Sequence, residues 1–202
     1  MNMAEPSELQ LDALREVANI GCAQGVSALS RLVGGRKMVI DLPRVLVAGV
    51  GKMASLVGGD ELPAVTAEFA LHGQLTGRLL LVLPEADANK LKTLLLEHAR
   101  ATPIAAHAES ALQEAANIVA SACVSAISTL TGLRLLPSTP TLSTGKSGEL
   151  VAAVLAASGA PAGLVVALEA RFQTEVAPAL CGRLLVLPDR EALPTLLAAL
   201  GV

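Results

Sequence analysis

Two long stretches of the chain repeat apolar residues at intervals of three and four, which predicts two amphipathic helices. Ser7 and Gln10 open the first stretch with a capping-box pattern, and Gly34 and Gly35 close it. Its apolar stripe is Leu11, Leu14, Ala18, Cys22, Gly25, Leu29 and Leu32. The stripe of the second stretch is Leu112, Ala116, Ala120, Cys123, Ile127 and Leu130. The many small residues favour close packing of each helix against a sheet or against the other helix.

These two stretches are copies of each other. Aligned without gaps, residues 12–34 and 110–132 share 12 identities in 23 positions, at a spacing of 98 residues. A second repeated segment follows: GRLLLVLP (77–84) recurs as GRLLVLP (182–188), each before an acidic, leucine-rich stretch. Such self-similarity predicts an internal duplication in which each half has a long helix, about three strands and a shorter helix.

The predicted fold is α/β of the α+β kind, with two long helices related by a pseudo-twofold axis and packed on a mostly antiparallel sheet. We expect residues 1–202 to form a single domain made of two repeats, about 8–98 and 104–202, joined near 98–107. The most apolar run, 150–168, is long enough to cross a membrane. Because Pro and Gly interrupt it at 158–163, we interpret it as a buried β-hairpin and expect no membrane span.

Composition excludes some classes of function. An apolar fraction of 52% supplies a sizeable core, so the chain is not disordered. The net charge is −3, the basic residues are scattered, and there is neither Trp nor Tyr, so nucleic acid is not an expected partner. Cys22, Cys123 and Cys181 lie in apolar runs without CxxC spacing, which favours reduced thiols buried as small apolar residues. Reduced thiols favour a cytoplasmic location, and no secretory leader is evident.

Standard metal and nucleotide patterns are also missing from the sequence. His72, His98 and His107 are interpreted as turn or linker residues and not as ligands of a shared metal. The Gly-Lys-Ser of 145–147 lacks the first glycine of a phosphate loop, since Pro140 stands at that position.

Each predicted helix carries polar residues that lie outside the buried stripe. Asp12, Glu16 and Asn19 are spaced i, i+4, i+7 and therefore share a neighbouring helix face. The second copy repeats the spacing with Ser110, Glu114 and Asn117. Asn disfavours helices, and two of the four in the chain occupy this one position. The residues alone leave two interpretations open: a solvated or bridging helix face, or a chemical site.

A Glu and an Asn without a nucleophile or a metal cage can still position a reactant. A carboxamide accepts one hydrogen bond from water and donates others, so it can hold a water in line with an electrophile. Gln has this role in GTPases. A Glu one turn earlier would anchor a cation of the partner that carries the electrophile. Such a site completes a reaction whose metal and phosphoryl group belong to another protein.

The motif resembles that of a known family. The pattern [D/S]-x3-E-x2-N, followed some 22 residues later by Pro, is similar to the signature of the CheC/CheX/FliY family of chemotaxis phosphatases. The second copy fits it with Pro140 after 22 residues, whereas Pro43 comes after 23 residues in the first. A one-residue insertion in the loop before Pro43 would explain the difference. Two motif copies in about 200 residues most resemble the CheC branch.

This resemblance implies an enzyme, a protein aspartyl-phosphate phosphatase (hydrolase) that acts on phosphorylated CheY-type response regulators. Asn19 and Asn117 would position the hydrolytic water, while Glu16 and Glu114 would pair with a receiver-domain Lys. The residues expected to support the docking surface are Asp12, Ser110, Pro43 and Pro140. The chain would need no cofactor of its own, because Mg²⁺ comes with the response-regulator substrate.

The implied setting is chemotaxis signal transduction in the cytoplasm. The expected partners are a phosphorylated CheY-type receiver domain and the receptor deamidase CheD. The competing hypothesis is a non-catalytic adaptor, in which both helices are docking surfaces for a receiver domain, for CheD or for both.

Overall fold

The computed structural model describes residues 6–58, 61–98, 105–157, 164–175 and 179–202. The elements of the first half are α1 (Glu8–Leu32), β1 (Met38–Ile40), β2 (Arg44–Gly49), α2 (Val50–Gly58), β3 (Pro63–Gly73), β4 (Gly77–Pro84) and α3 (Glu85–His98). Those of the second half are α4 (Ala105–Thr131), β5 (Leu135–Pro137), β6 (Thr141–Lys146), α5 (Ser147–Ala157), β7 (Leu164–Thr174), β8 (Cys181–Pro188) and α6 (Leu193–Ala199). The two halves therefore have the same order of elements.

All strands of the described residues join one antiparallel sheet, as predicted. Its order is β1-β7-β8-β4-β3-β5, with β2 also paired to β7 and β6 also paired to β3. The two halves meet where β4 pairs with β8, for example Leu80 opposite Leu185. Each half also gives strands to the other, since β1 and β2 pair with β7 while β5 and β6 pair with β3. The sheet is thus built jointly by both halves.

Helices cover both faces of the sheet. The larger core lies under α1, α3, α4 and α6 and includes Phe69 and Leu184, both fully buried. A smaller core lies under α2 and α5 on the opposite face and includes Met53, Leu80 and Leu185. Because side chains alternate between the faces along a strand, β4 contributes Leu79 to the larger core and Leu80 to the smaller one.

The two long helices pack directly against each other and run antiparallel. A Cβ built on Gly21 would lie 2.7 Å from Ile127 Cγ1, and one built on Gly25 would lie 3.2 Å from the Val119 carbonyl oxygen. Higher residue numbers on α1 therefore meet lower ones on α4. The small residues of the predicted stripe allow this approach, as the sequence indicated.

The predicted helix boundaries and stripes are largely confirmed. Ser7 caps α1, accepting from the Gln10 amide at 3.3 Å while the Gln10 side chain accepts from the Ser7 amide at 3.0 Å. The central stripe residues of both helices are buried, among them Cys22 and Cys123. Leu130 is an exception, since it is 37% exposed in the last turn of α4.

One predicted hairpin is wrong. Residues 150–157 form most of α5 and not a strand, whereas the following segment is strand β7 as predicted; the predicted turn at 158–163 lies outside the described residues. Val151, Val154 and Leu155 are the buried residues of this run, with helical spacing of three and four. With α2 as its counterpart, each half has three helices and four strands, one helix and one strand more than the sequence predicted.

The predicted link at 98–107 lies partly outside the described residues. Helix α3 ends at His98 and α4 already begins at Ala105, so the end of this segment is helical. By length and composition, residues 107–131 of α4 are apolar enough to cross a membrane, and it is the one such helix found in the described residues. Packing of α4 against α1 and α3 accounts for this apolar character.

Candidate functional site

The first motif lies on the solvent side of α1. Asp12, Glu16 and Asn19 are all exposed, whereas the intervening Leu14, Val17 and Ala18 are buried against α4 and the sheet. The capped start of α1 places the motif in the first half of the helix, one to three turns from the N-terminus. The predicted face is therefore available to a partner.

The second motif occupies the corresponding part of α4. Ser110 and Glu114 are exposed, and Asn117 is half-buried. Leu112, Ala115 and Ala116 between them are buried in the larger core. Each copy thus presents its Glu and Asn one turn apart on a rigid helix.

The Glu and Asn side chains of both motifs keep their hydrogen-bonding capacity. In the part of the chain that the structure describes, the side chains of Glu16, Asn19, Glu114 and Asn117 form no hydrogen bond or ion pair. Exposed polar side chains without protein partners hydrogen-bond to water, which a docking molecule can displace. These four are therefore free to contact another molecule.

The two motif prolines occupy equivalent positions. Pro43 lies directly before β2 and Pro140 directly before β6, and both are half-buried. Met38 opposes Thr174 in the sheet and Leu135 opposes Gly73, so β1 and β5 begin at matching places. Residues 33–37 separate α1 from β1, and 132–134 separate α4 from β5. At the repeat spacing of 98, α4 ends one residue later than α1, so the first copy has one extra residue before β1. This agrees with the predicted insertion before Pro43.

A contact that the sequence analysis missed connects the second motif to its proline loop. Gln113 Nε2 donates to the Pro140 carbonyl oxygen at 3.4 Å, which places the loop beside the turn that carries Glu114. The matching position in the first copy is Arg15, which forms an ion pair with Asp12 on the same helix. No sequence signal distinguished Gln113, because its counterpart has a different charge and a different partner.

The two motifs lie at opposite ends of the helix pair. Glu16 and Glu114 each precede the point where α1 and α4 cross, near Gly21–Gly25 and residues 119–123, by about two turns. Since the helices are antiparallel and rise 1.5 Å per residue, the two Glu residues are roughly 20 Å apart along the helix axes. The chain therefore presents two separate sites and not one composite site.

Possible metal-ligating side chains are scattered over the described residues. Within the described ranges, no three His, Cys, Asp or Glu side chains come together in a group that could hold a metal ion. His72, His98 and His107 are exposed, but they lie in β3, at the end of α3 and in α4, and not in a turn or linker as predicted. What the geometry provides is two carboxylate and carboxamide pairs on exposed helix faces.

Comparison with known proteins gives a consistent family. A sequence profile of the CheC-like family matches residues 108–144, the segment that contains the second motif and its proline. The chain is 27% identical over 207 residues to the CheY-P phosphatase CheC of Bacillus subtilis (strain 168), covering 96% of this chain and 95% of that protein.

Solved structures show the same fold. The crystal structure of Thermotoga maritima FliY matches with a TM-score of 0.76 at 17% identity, covering 98% of each chain. The CheX chain in a CheX–CheY–BeF₃–Mg²⁺ complex from Borrelia burgdorferi matches with a TM-score of 0.54 at 12% identity, covering 85% of this chain and 96% of that one. The profile match and the full-length relative agree with the shared fold: the chain is similar in sequence to CheC-like proteins and has the fold of the solved FliY and CheX structures.

Proposed function

We propose that the protein dephosphorylates the aspartyl phosphate of phosphorylated CheY-type response regulators. The observation that carries this proposal is a Glu and an Asn at matching positions of α1 and α4, all exposed except the half-buried Asn117. None of these side chains has a hydrogen-bond or ion-pair partner in the described fold. The relative from Bacillus subtilis, which is named a CheY-P phosphatase, supports the same reaction.

In this mechanism the chain positions water and the substrate supplies the electrophile. Asn19 or Asn117 accepts a hydrogen bond from the attacking water and aligns it with the phosphorus atom. The water oxygen forms a bond to phosphorus, the bond from phosphorus to the aspartyl oxygen breaks, and inorganic phosphate and a free carboxylate result. The proton released by the water passes to phosphate or to solvent. Mg²⁺, held by the receiver domain, neutralises the developing charge.

The Glu residues hold the receiver domain in the orientation that brings its phosphoryl group to the Asn. Glu16 or Glu114 pairs with a Lys of the receiver, which fixes the rotation of the partner about the helix. Asp12, Ser110 and the loops of Pro43 and Pro140 border this surface. Positioning and electrostatics of this kind are together worth roughly 10² to 10⁴ in rate.

The proposal has a cellular setting. The substrate is a response regulator of chemotaxis, the location is the cytoplasm, and the metal belongs to the substrate. The receptor deamidase CheD is a second proposed partner, bound to this protein as a regulator. A receiver-binding adaptor without hydrolysis is the alternative function.

The decay of a ³²P-phosphorylated CheY-type receiver in Mg²⁺ tests this function. We expect wild-type protein to accelerate decay, Asn19→Ala and Asn117→Ala each to reduce the acceleration, and the double variant to abolish it, since it removes both water-positioning groups. Asn89→Ala is the matched control, because Asn89 is an exposed helical Asn on α3 and belongs to neither motif.

Binding measured in parallel separates the outcomes. Retained receiver binding by the double variant, with decay at the rate of the receiver alone, supports two water-positioning sites. Binding by wild-type protein without any acceleration would contradict the enzyme and favour the adaptor. Equal acceleration by wild-type protein and the double variant would rule out the two Asn residues.

A further inference from the structure

We propose that Leu9 and Leu42 form an apolar rim around the first motif and are the main docking contacts for the receiver domain there. The inference rests on the proposed function, because the occupant is the same receiver domain. It adds that the two motifs bind this domain by different chemistry, the first through apolar contacts and the second through polar ones.

Leu9 extends the first motif toward the start of α1. It precedes Asp12 by three positions, so Leu9, Asp12 and the later Glu16 lie along one face of the helix. Its side chain is 66% exposed, although most other leucines of the chain are buried. An apolar side chain in line with the motif is placed where a molecule docked on Glu16 would cover it.

Leu42 lies in the first-copy loop that matches, at the repeat spacing, the loop touching the motif helix in the second copy. It precedes Pro43 in the loop between β1 and β2 and is 91% exposed, more than any other large apolar residue in the described chain. The loop is held in place, since the Asp41 amide donates to the Arg171 carbonyl oxygen at 2.9 Å. In the second copy, Gln113 contacts the matching loop at Pro140, which shows that this loop borders the motif helix.

Both positions are polar in the second copy. The residue that matches Leu9 at the repeat spacing is His107, and the residue before Pro140 that matches Leu42 is Thr139; both are exposed. The second site therefore lacks the apolar rim while it retains the Glu and the Asn.

The difference predicts unequal docking strength. A leucine side chain buried in an interface contributes about 1.5–3 kcal/mol, equivalent to roughly 10-fold to 100-fold in affinity. We expect the first site to bind the receiver more tightly than the second. Salt should weaken docking at both sites, because each keeps its Glu for pairing with a receiver Lys, so the difference between the sites should persist at high ionic strength.

Titration with a CheY-type receiver activated by beryllofluoride and Mg²⁺ tests the rim by binding alone. The double variant Leu9→His, Leu42→Thr gives the first site the residues of the second. We expect it to weaken the tighter class of site by 10-fold or more. Leu62→Thr is the matched control, because Leu62 is 60% exposed but lies before β3, outside both motif faces.

Steady-state kinetics test whether the weaker binding of the double variant belongs to the first motif. In the Asn117→Ala background, where turnover depends on Asn19, the double variant should raise KM by 10-fold or more with kcat within about twofold. In the same assay Thr139→Leu, placed in the Asn19→Ala background, should lower KM for the second site.

The results distinguish this inference from the proposed function. Receiver binding that the double variant weakens, in the absence of any hydrolysis by wild-type protein, would support the docking rim and contradict the phosphatase. Hydrolysis or binding that the double variant leaves unchanged would overturn the rim. No binding of the activated receiver by wild-type protein would overturn it as well.

Discussion

Asp87 and Cys181 show how single residues acquire unusual properties where α3 meets β8. The Asp87 carboxylate is largely buried and accepts from Lys90 Nζ at 2.7 Å, from the Cys181 amide at 3.3 Å and from the Cys181 thiol at 3.0 Å. Burial, followed by the adjacent Asp87 carboxylate, raises the pKa of Cys181 to about 11. The thiol therefore stays protonated at neutral pH although the residue is exposed.

This pKa predicts a slow thiol. Only the thiolate reacts with disulfide reagents, so at pH 8 modification of Cys181 should be roughly 10-fold to 100-fold slower than that of a free cysteine with pKa near 8.5. Its rate should keep rising by about tenfold per pH unit up to about pH 11, whereas that of a free cysteine levels off near pH 9. Cys22 and Cys123 are buried, so they do not contribute to the measured rate. A stopped-flow profile with 5,5′-dithiobis(2-nitrobenzoic acid) from pH 7 to 11 measures it.

Asp87→Asn is the variant that isolates the cause. It removes the negative charge beside the sulfur and should lower the pKa of Cys181 and speed modification at pH 8. A wild-type rate equal to that of a free cysteine would contradict the role of burial and of the carboxylate.

At the residue scale, the sequence predicted the motif face better than the exposed residues around it. Spacing alone placed Glu16 and Asn19 outside the buried stripe of α1, because a helix has a fixed period. The same reasoning grouped Cys181 with the buried thiols, yet it is exposed at the start of β8. Exposure near a strand end depends on how neighbouring elements terminate, which no local pattern contains, and the exposure of Leu42 was unpredictable for the same reason.

At the element scale, the contact between α1 and α4 sets the relative position of the two motifs. A methyl group at Gly21 would lie 2.7 Å from Ile127 Cγ1 and 3.3 Å from the Cys123 sulfur, both in side chains that are fully buried. Gly21→Ala should therefore destabilise the protein by roughly 1–2 kcal/mol, because overpacking outweighs the gain in helix propensity. Urea denaturation measures the change.

Two further variants sharpen this test. Gly51→Ala is the matched control, since Gly51 lies in α2 with no atom within 4 Å of the added methyl group, and should stabilise by up to about 1 kcal/mol. Adding Ile127→Val to Gly21→Ala removes one of the clashing methyl groups and should restore part of the loss. A Gly21→Ala protein at least as stable as wild type would show that the helices are not in close contact.

The elements themselves were predicted unevenly. The capping box at Ser7 and the two glycines after α1 are local signals, and both ends of that helix agree with them. Helix α5 was interpreted as a strand because its run is apolar on nearly every side, which hides the helical period. It is short and packs with α2 on the second face of the sheet, and the sequence did not indicate that this face was covered.

At the scale of the whole molecule, the two halves exchange strands. Strands β1 and β2 of the first half have their sheet partner in β7, and strands β5 and β6 of the second half have theirs in β3. The repeat was evident from sequence identity, but the exchange was not, since strand partners are long-range contacts. We propose on this basis that the two repeats form one folding unit.

Fragments 1–101 and 102–202 test that unity. Separately, each fragment would leave two strands without partners and expose the apolar surfaces of α1 or α4, so we expect neither to form a stable monomer. When the two fragments are mixed in denaturant and refolded together, they should assemble into a one-to-one complex. This complex should have the circular dichroism spectrum and the cooperative urea unfolding of a folded protein. Size-exclusion chromatography with light scattering gives the stoichiometry. A fragment that is monomeric, cooperatively folded and able to bind the activated receiver through its single motif would instead identify each repeat as an independent domain, with the strand exchange as a secondary feature.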